Sequence, residues 1–316
     1  MYAIETENII KQYKNGVQAL SGLSIYVKNN EIFSLLGENG AGKSTLIRIL
    51  TTYLRPTSGK VIMLGKNIYT ESKWVREQIA CVAQQTSIDM HLSLEENMLF
   101  QSRLYKIPKI EAIKRMKKLI YDFGLERYKK YPVSSYSGGV KRRLDIALNM
   151  MSKPQILFLD EPTVGMDIQS RNFMWKMMKQ IRDEFKTTIF FTTHYLEEAD
   201  SLSDSICIMK DGKIVKQGTP LELRLLFQEN IIRLKFSTDT EIRKCIEILT
   251  HFFPPKKILI RNSEIIIHSQ DIQLYMKHVI SLLLEQNIPF QGIESIQPTL
   301  EDIFLRLTQR EQEECV

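Results

Sequence analysis

The sequence has no apolar run approaching the ~20 residues that a membrane-spanning helix needs. Its apolar stretches, such as Ile156 to Leu159 and Leu282 to Leu284, are only a few residues long. Any membrane role is therefore expected to come through a partner. The opening residues, Met1-Tyr2-Ala3-Ile4-Glu5, lack the basic start and apolar core of a signal peptide, so a cytoplasmic location is expected. Cysteine is scarce: Cys81, Cys207, Cys245 and Cys315 show no C-x-x-C spacing. That excludes a zinc pattern and a disulfide framework, and predicts reduced, mostly buried thiols. Compositional extremes are missing too. Of 316 residues, 43% are hydrophobic and 25% charged, which excludes a disordered or fibrous chain. The length suits one large domain and one smaller one.

Positive charge is present in excess, at net +6, but unevenly. Residues 101 to 150 hold 13 Lys and Arg against 4 Asp and Glu, whereas residues 221 to 316 hold 11 against 14. A basic face of this kind meets an anionic membrane surface or nucleic acid, or is simply solvated.

Short alternating patterns at Tyr2 to Glu7 and Gly22 to Val27 predict a small antiparallel sheet. An apolar strand, Glu31 to Leu36, then runs into a glycine-rich loop and an apolar helix, Leu46 to Tyr53. From about residue 93 to 150 the periodicity is helical and basic, predicting a helical subdomain. Buried-strand patterns return at Gln155 to Leu159, Thr187 to Thr192 and Ser205 to Met209, with helical segments between, as in a largely parallel sheet. A boundary is expected near residue 222. Beyond it come strand Ile231 to Ser237, helix Asp239 to Phe252, strand Lys257 to Arg261, turn Asn262-Ser263, strand Glu264 to His268, helix Asp271 to Gln286 and strand Phe290 to Ile296. The fold class expected is thus α/β over residues 1–222, with a small α+β ferredoxin-like domain over 223–316 and a capped final helix after Pro298.

Three elements carry chemistry. The loop Gly37-Glu38-Asn39-Gly40-Ala41-Gly42-Lys43-Ser44-Thr45 offers what a triphosphate requires: close backbone N–H donors, a lysine for the outer phosphates and a hydroxyl for Mg2+. The strand Ile156 to Leu159 ends in Asp160 and Glu161, suited respectively to a Mg2+ shell and to a general base acting on water. Tyr136-Ser137-Gly138-Gly139-Val140-Lys141-Arg142 places Ser-Gly-Gly at a helix start, Arg143 to Met151, as a second anion site without its own lysine and carboxylates. Two phosphate sites, only one of them complete, suggest that the second completes the site of another copy.

With these residues the chain resembles, over roughly residues 3 to 220, the nucleotide-binding subunits of ATP-binding-cassette transporters. The resemblance implies a P-loop NTPase fold, ATP and Mg2+ as cofactors, and ATP hydrolysis. It places Tyr13 on adenine, Gln84 between Mg2+, water and the membrane domain, Asp167 in a loop crossing the dimer interface, and His194 on the γ-phosphate. Seen alone, Tyr13 is a packing residue, Gln84 a surface amide beside Gln85, and His194 a strand-end histidine. Val140 stands where many relatives have glutamine, and Ala83 where proline is frequent. The tail from Gln297 to Thr308 is similar to that of drug-, antibiotic- and lantibiotic-exporter ATPases of the daunorubicin-resistance type. The partners implied are an integral membrane permease and a second ATP-binding subunit, either an identical copy or a paralogue, with the chain held at the inner face of the membrane. The alternative is a soluble ATPase clamp acting on nucleic acid or ribosomes; it favours two cassettes in one chain or a long coiled-coil insert, and neither pattern is present, so no direct nucleic-acid contact is expected.

Overall fold

The computed structural model describes residues 1–226, 230–250, 252–254, 258–261, 264–269, 272–296 and 298–313. Lys257, Asn262, Ser263, Asp271, Gln297 and Cys315 lie outside the described residues. The chain divides into two compact units, Met1–Pro220 and Leu221–Val316.

The first unit opens on β1 (Tyr2–Gln12), β2 (Gln18–Leu23) and β3 (Tyr26–Lys28), with β2 and β3 both antiparallel to β1. β1 is longer than its alternation suggests, because Asn8 adopts a left-handed φ of 49° and the pairing register slips around it. A bulge of this kind resets the period-2 pattern in mid-strand. Next, β4 (Ile32–Leu36) leads through the glycine loop into α1 (Lys43–Leu50). The helix starts before the apolar run that marks it in the sequence and ends at Leu50, because Thr51 and Thr52 turn the chain, Thr52 with φ 64°. The early start places Lys43 and Ser44 in the first turn, where backbone N–H groups are free for an anion.

Between α1 and the basic helical segment lie four elements for which the sequence offered no pattern: β5 (Ser58–Met63), β6 (Lys66–Asn67), α2 (Ser72–Gln78) and β7 (Ile79–Val82). β5 and β6 extend the first sheet to the order β2-β1-β5-β6, with β3 beside β1. The helical segment comprises α3 (Leu94–Leu104), α4 (Lys109–Asp122) and α5 (Gly138–Met150). A capping box between Ser93 and Glu96 starts α3 and is worth about 1 kcal/mol. Along α4, Ala112, Met116, Leu119 and Ile120 recur at helical spacing and are buried, with Leu94, Met98 and Leu144 in the same core. α5 begins five residues earlier than its apolar pattern, so Gly138 and Gly139 form its first turn and Ser137 caps it.

β8 (Ile156–Asp160), α6 (Ile168–Phe185), β9 (Thr188–Thr193), α7 (Leu196–Leu202), β10 (Ser205–Lys210) and β11 (Lys213–Gly218) follow. The main sheet has the order β11-β10-β4-β9-β8-β7, parallel except for the antiparallel edge strand β11. Both faces are covered. Along β8, Leu157 and Leu159 join the core of α3 to α6, while Ile156 and Phe158 join the core of α1 and the first sheet. Phe158 and Phe33 flank Phe190 with ring centroids 5.5 and 5.1 Å away. Each of these fully buried rings contributes roughly 1.5–3 kcal/mol. Register then places the chemistry: Leu36 pairs with Thr193, Asp160 with Thr192, and Val82 with Leu159. The glycine loop, Glu161, His194 and the Gln84 segment therefore leave the sheet at the same carboxyl edge, where open α/β sheets bind ligands.

α8 (Pro220–Leu225) spans the division between the units. The second unit contains β12 (Asn230–Lys235), α9 (Asp239–Leu249), β13 (Ile258–Arg261), β14 (Glu264–Ser269), α10 (Ile272–Glu285), β15 (Gly292–Ile296) and α11 (Leu300–Glu313). Its sheet has the order β13-β14-β12-β15 with every pair antiparallel, over a core that includes Ile232, Leu234, Ile265, Ile267, Val279 and Leu283. Thr299 and Asp302 cap α11 reciprocally, Asp302 N–H donating to the hydroxyl at 3.2 Å and Thr299 N–H to the carboxylate at 2.9 Å. Among the described residues, no helix is long and apolar enough to cross a membrane.

Candidate active site

The loop from Gly37 to Gly42 closes around its own lysine. Lys43 Nζ donates to the carbonyls of Gly37 at 2.6 Å and Glu38 at 3.0 Å, and stands 3.8 Å from Glu161 Oε1. Burial holds this ammonium below its ordinary range, against the opposing pull of Glu161, Asp160 and Glu38. Gly42 is required on the fold side of the loop. Its φ is 106°, and a Cβ there would sit 2.6 Å from the Ala19 carbonyl oxygen. The neighbouring strand β2 thus constrains this position, in addition to the close phosphate approach that the sequence suggests for the loop. A cavity of about 400 Å3 opens over the loop, lined by Asn39, Gly40, Gly42, Lys43, Ser44, Thr45 and Glu161, with Val17 to Ala19 and Asp211-Gly212 opposite.

Glu161 has a left-handed backbone, φ 45°, a conformation that costs a glutamate on the order of 1–3 kcal/mol and clusters at functional sites. Its N–H donates to Thr192 Oγ1 at 3.0 Å, and its carboxylate lies 3.2 Å from His194 Nδ1. The same Thr192 hydroxyl donates to Asp160 Oδ1 at 2.6 Å. One threonine thus holds the Asp160 carboxylate and the main chain of Glu161. In the sequence Thr192 is only the last residue of a buried-strand pattern, and nothing in a lone Thr signals this role. Glu161 is 14% exposed and His194 32%, so the carboxylate is shielded while the imidazole reaches solvent.

The donor set fits a hard divalent cation bound together with phosphates. Ser44 presents an exposed hydroxyl to the cavity, and Asp160 keeps Oδ2 free of hydrogen bonds from described residues. Mg2+ takes one or two protein oxygens and fills its octahedron with phosphate and water, so a cluster of three acids is not needed. None is found among the described residues.

Tyr13 stands at the rim. Its hydroxyl is 3.3 Å from Thr45 Oγ1 and Lys11 Nζ lies 5.4 Å from its ring, but Tyr13 does not line the cavity itself. If its ring stacks on a bound base, Tyr13→Ala weakens ATP binding by about 1–3 kcal/mol. Tyr13→Phe, which loses only the hydroxyl, keeps most of the affinity. Equal losses in a nucleotide titration of the two variants would rule out stacking.

Gln84, Asp167 and the Ser137 to Gly139 motif, like Tyr13, are not brought to the cavity lining. Gln84 is exposed, two residues beyond β7, and does not line the cavity. Ser137 caps α5 by accepting from Val140 N at 3.4 Å, and Asp167 caps α6 by accepting from Ser170 N at 2.9 Å and its hydroxyl at 2.7 Å. Those two bonds hold the Asp167 carboxyl below its usual range. A Cβ on Gly139 would touch Ser170 Oγ at 3.1 Å, so the Ser137 and Asp167 motifs form one neighbourhood of their own.

A model of the ABC transporter family matches residues 20–164. The daunorubicin/doxorubicin resistance ATP-binding protein DrrA of Streptomyces peucetius is 40% identical over 233 residues, covering 74% of this chain and 70% of that protein. The linearmycin resistance ATP-binding protein LnrL of Bacillus subtilis (strain 168) is 33% identical over 317 residues, covering 97% of this chain and 98% of that protein. Among solved structures, a dimeric post-hydrolysis state of an ATP-binding cassette bound to ADP and Pi superposes with a TM-score of 0.61 at 26% identity, over 68% of this chain and 98% of that chain. These relatives, one of them matched over nearly the whole chain, identify the protein as a member of the ATP-binding-cassette family of transporter ATPases of the drug-resistance type.

Proposed function

We propose that two ATP-binding subunits, identical or paralogous, close on ATP and drive a separately encoded membrane permease that exports a drug, antibiotic, peptide or similar compound. The observation that carries this reading is the separation of the motifs. The cavity holds Lys43, Ser44 and Glu161, whereas Ser137 to Gly139 and Asp167 lie in a different neighbourhood of the same chain. A second subunit's Ser137-Gly138-Gly139 supplies the missing donors over the γ-phosphate. The names of the drug-resistance relatives support the exporter, and the dimeric neighbour bound to ADP and Pi supports the sandwich.

In this arrangement Tyr13 holds the base, the loop amides and Lys43 hold the phosphates, and Ser44, Asp160 and Gln84 hold Mg2+. The cation, when bound, neutralises charge on the β- and γ-phosphates. Glu161 accepts the proton of the attacking water as its oxygen bonds to the γ-phosphorus and the bond to the ADP oxygen breaks. His194, at 3.2 Å from Glu161, bridges the base and the γ-phosphate. Because the complete site needs two subunits, hydrolysis is expected to rise more steeply than linearly with the concentration of the purified chain at saturating ATP. Strict proportionality down to nanomolar chain would contradict it.

The basic helical segment, 93–150, is the face proposed for the permease and the inner membrane surface. Of its cations, Arg115 is tied to Glu111 at 2.9 Å and to the Met151 carbonyl at 2.7 Å, and Lys118 to Asp122 at 3.0 Å. Lys109, Lys114 and Lys117 are exposed and make no ion pair among the described residues. Near anionic headgroups each is worth roughly 1 kcal/mol. Reversing Lys114 and Lys117 to Glu should leave ATPase activity unchanged and reduce salt-sensitive binding to anionic vesicles or to the permease. Loss of nucleic-acid binding instead would favour the soluble clamp.

A further inference from the structure

α5 carries two buried charged residues that the hydrolysis scheme does not use. Arg142 is 5% exposed and Asp145 1% exposed, one turn apart. Arg142 spends its guanidinium on main-chain carbonyls of two adjacent strand ends: Nη1 donates to Ala83 and Nη2 to Asp160 at 2.8 Å. The first carbonyl immediately precedes Gln84 and the second immediately precedes Glu161. Asp145 takes the other end of the Gln84 segment, accepting the Ser87 hydroxyl at 3.0 Å, and its second oxygen stands 3.9 Å from Arg142. Gln84, Gln85 and Thr86 are thus fastened on both sides to one helix. Burying a guanidinium and a carboxylate is costly unless both are well paired. A planar fork is the side chain that holds two carbonyls at once, and a single ammonium does not replace it.

We infer that Arg142 and Asp145 are positioning residues that tie the Gln84 segment to α5, so that the place of Gln84 in a chain's own site follows the helix whose start, Ser137 to Gly139, serves the opposite site. The link between sites rests on the two-subunit reading above. The fastening itself rests on the contacts within one chain. When α5 is drawn onto a second subunit's nucleotide, its Arg142 and Asp145 carry the Gln84 segment with it, and each site's readiness to hydrolyse reports the other's occupancy. Arg142 touches neither nucleotide nor water in this scheme.

The test is a double-mutant cycle in the full-length chain, read as kcat and KM for ATP. Arg142→Lys should lower kcat by about 10- to 100-fold, the scale of a small misplacement of a reacting group, with KM within about two-fold because ATP contacts are untouched. Gln84→Ala should lower kcat comparably, and adding Arg142→Lys to it should cost several-fold less than it does in the parent, the remainder coming from its bond to the Asp160 carbonyl. Ser87→Ala removes the hydroxyl that Asp145 accepts, so its thermal stability is read beside kcat; with the fold retained, its several-fold loss should likewise vanish in the Gln84→Ala background. Independent losses in both backgrounds, or a Gln84→Ala chain as fast as the parent, would overturn the proposal. ATP-trapped dimerisation in a Glu161→Gln background separates the two readings. Absence of the dimer with Arg142 intact sinks the two-subunit arrangement, whereas a normal dimer with additive losses sinks the fastening alone.

Discussion

Glu161→Gln is expected to slow ATP hydrolysis by about 10²-fold or more while preserving ATP binding. The carboxamide keeps the shape of the side chain between Lys43, at 3.8 Å, and His194, at 3.2 Å, but cannot take the proton of water. Its loss of charge leaves the buried Lys43 ammonium without its neighbouring carboxylate, a place that the triphosphate fills. Nucleotide affinity is therefore held or raised as turnover falls. Steady-state hydrolysis and equilibrium nucleotide binding on the same preparation check this, and near-normal turnover would remove Glu161 from the role of base.

Gly138→Asp should abolish ATP-driven association, and with it hydrolysis, while sparing ATP binding to the single chain. The structure makes this a clean substitution: nothing lies within 4 Å of a Cβ at Gly138, and its φ is not in the left-handed region. A carboxylate in the first turn of α5 is mildly favourable to the helix dipole. Thermal stability of the lone chain is thus expected to stay level or rise slightly. Set against a second subunit's γ-phosphate, the same charge is repelled across a water-poor interface. Retained dimerisation on ATP would mean that Gly138 does not face the nucleotide.

What the sequence made legible was local chemistry. The glycine loop and the apolar strand ending in Asp160-Glu161 each announce themselves within a few residues, because phosphate binding and buried strands impose short-range patterns, whereas Tyr13, Gln84, Asp167 and His194 had a role only through the resemblance. The resemblance drew the scattered motifs together. Less legible were features set by distant partners. β7 is four residues long, too short for a period, yet its pairing with β8 is what brings the Gln84 segment beside Glu161. Arg142 looks like one cation in a basic run, and only the fold shows it closing on Ala83 and Asp160. Glu198 is similar. It reads as a surface acid beside Glu197, but is 1% exposed, accepting from Thr163 at 2.8 Å, Thr193 at 2.7 Å and Trp175 at 3.2 Å. Burial pushes its carboxyl above the usual range, and those three donors offset part of that cost. At Gly42 the constraint from β2 has no trace in the loop's own residues.

If the hydrolytic site is complete only between two subunits, the mass of the Glu161→Gln chain in solution reports it. With ATP and Mg2+, sedimentation equilibrium should give a species of twice the 36.9 kDa chain mass, reverting to the single chain with ADP or without nucleotide. A Glu161→Gln chain that binds ATP and stays at the single-chain mass at micromolar concentration would mean that the site does not form between two subunits.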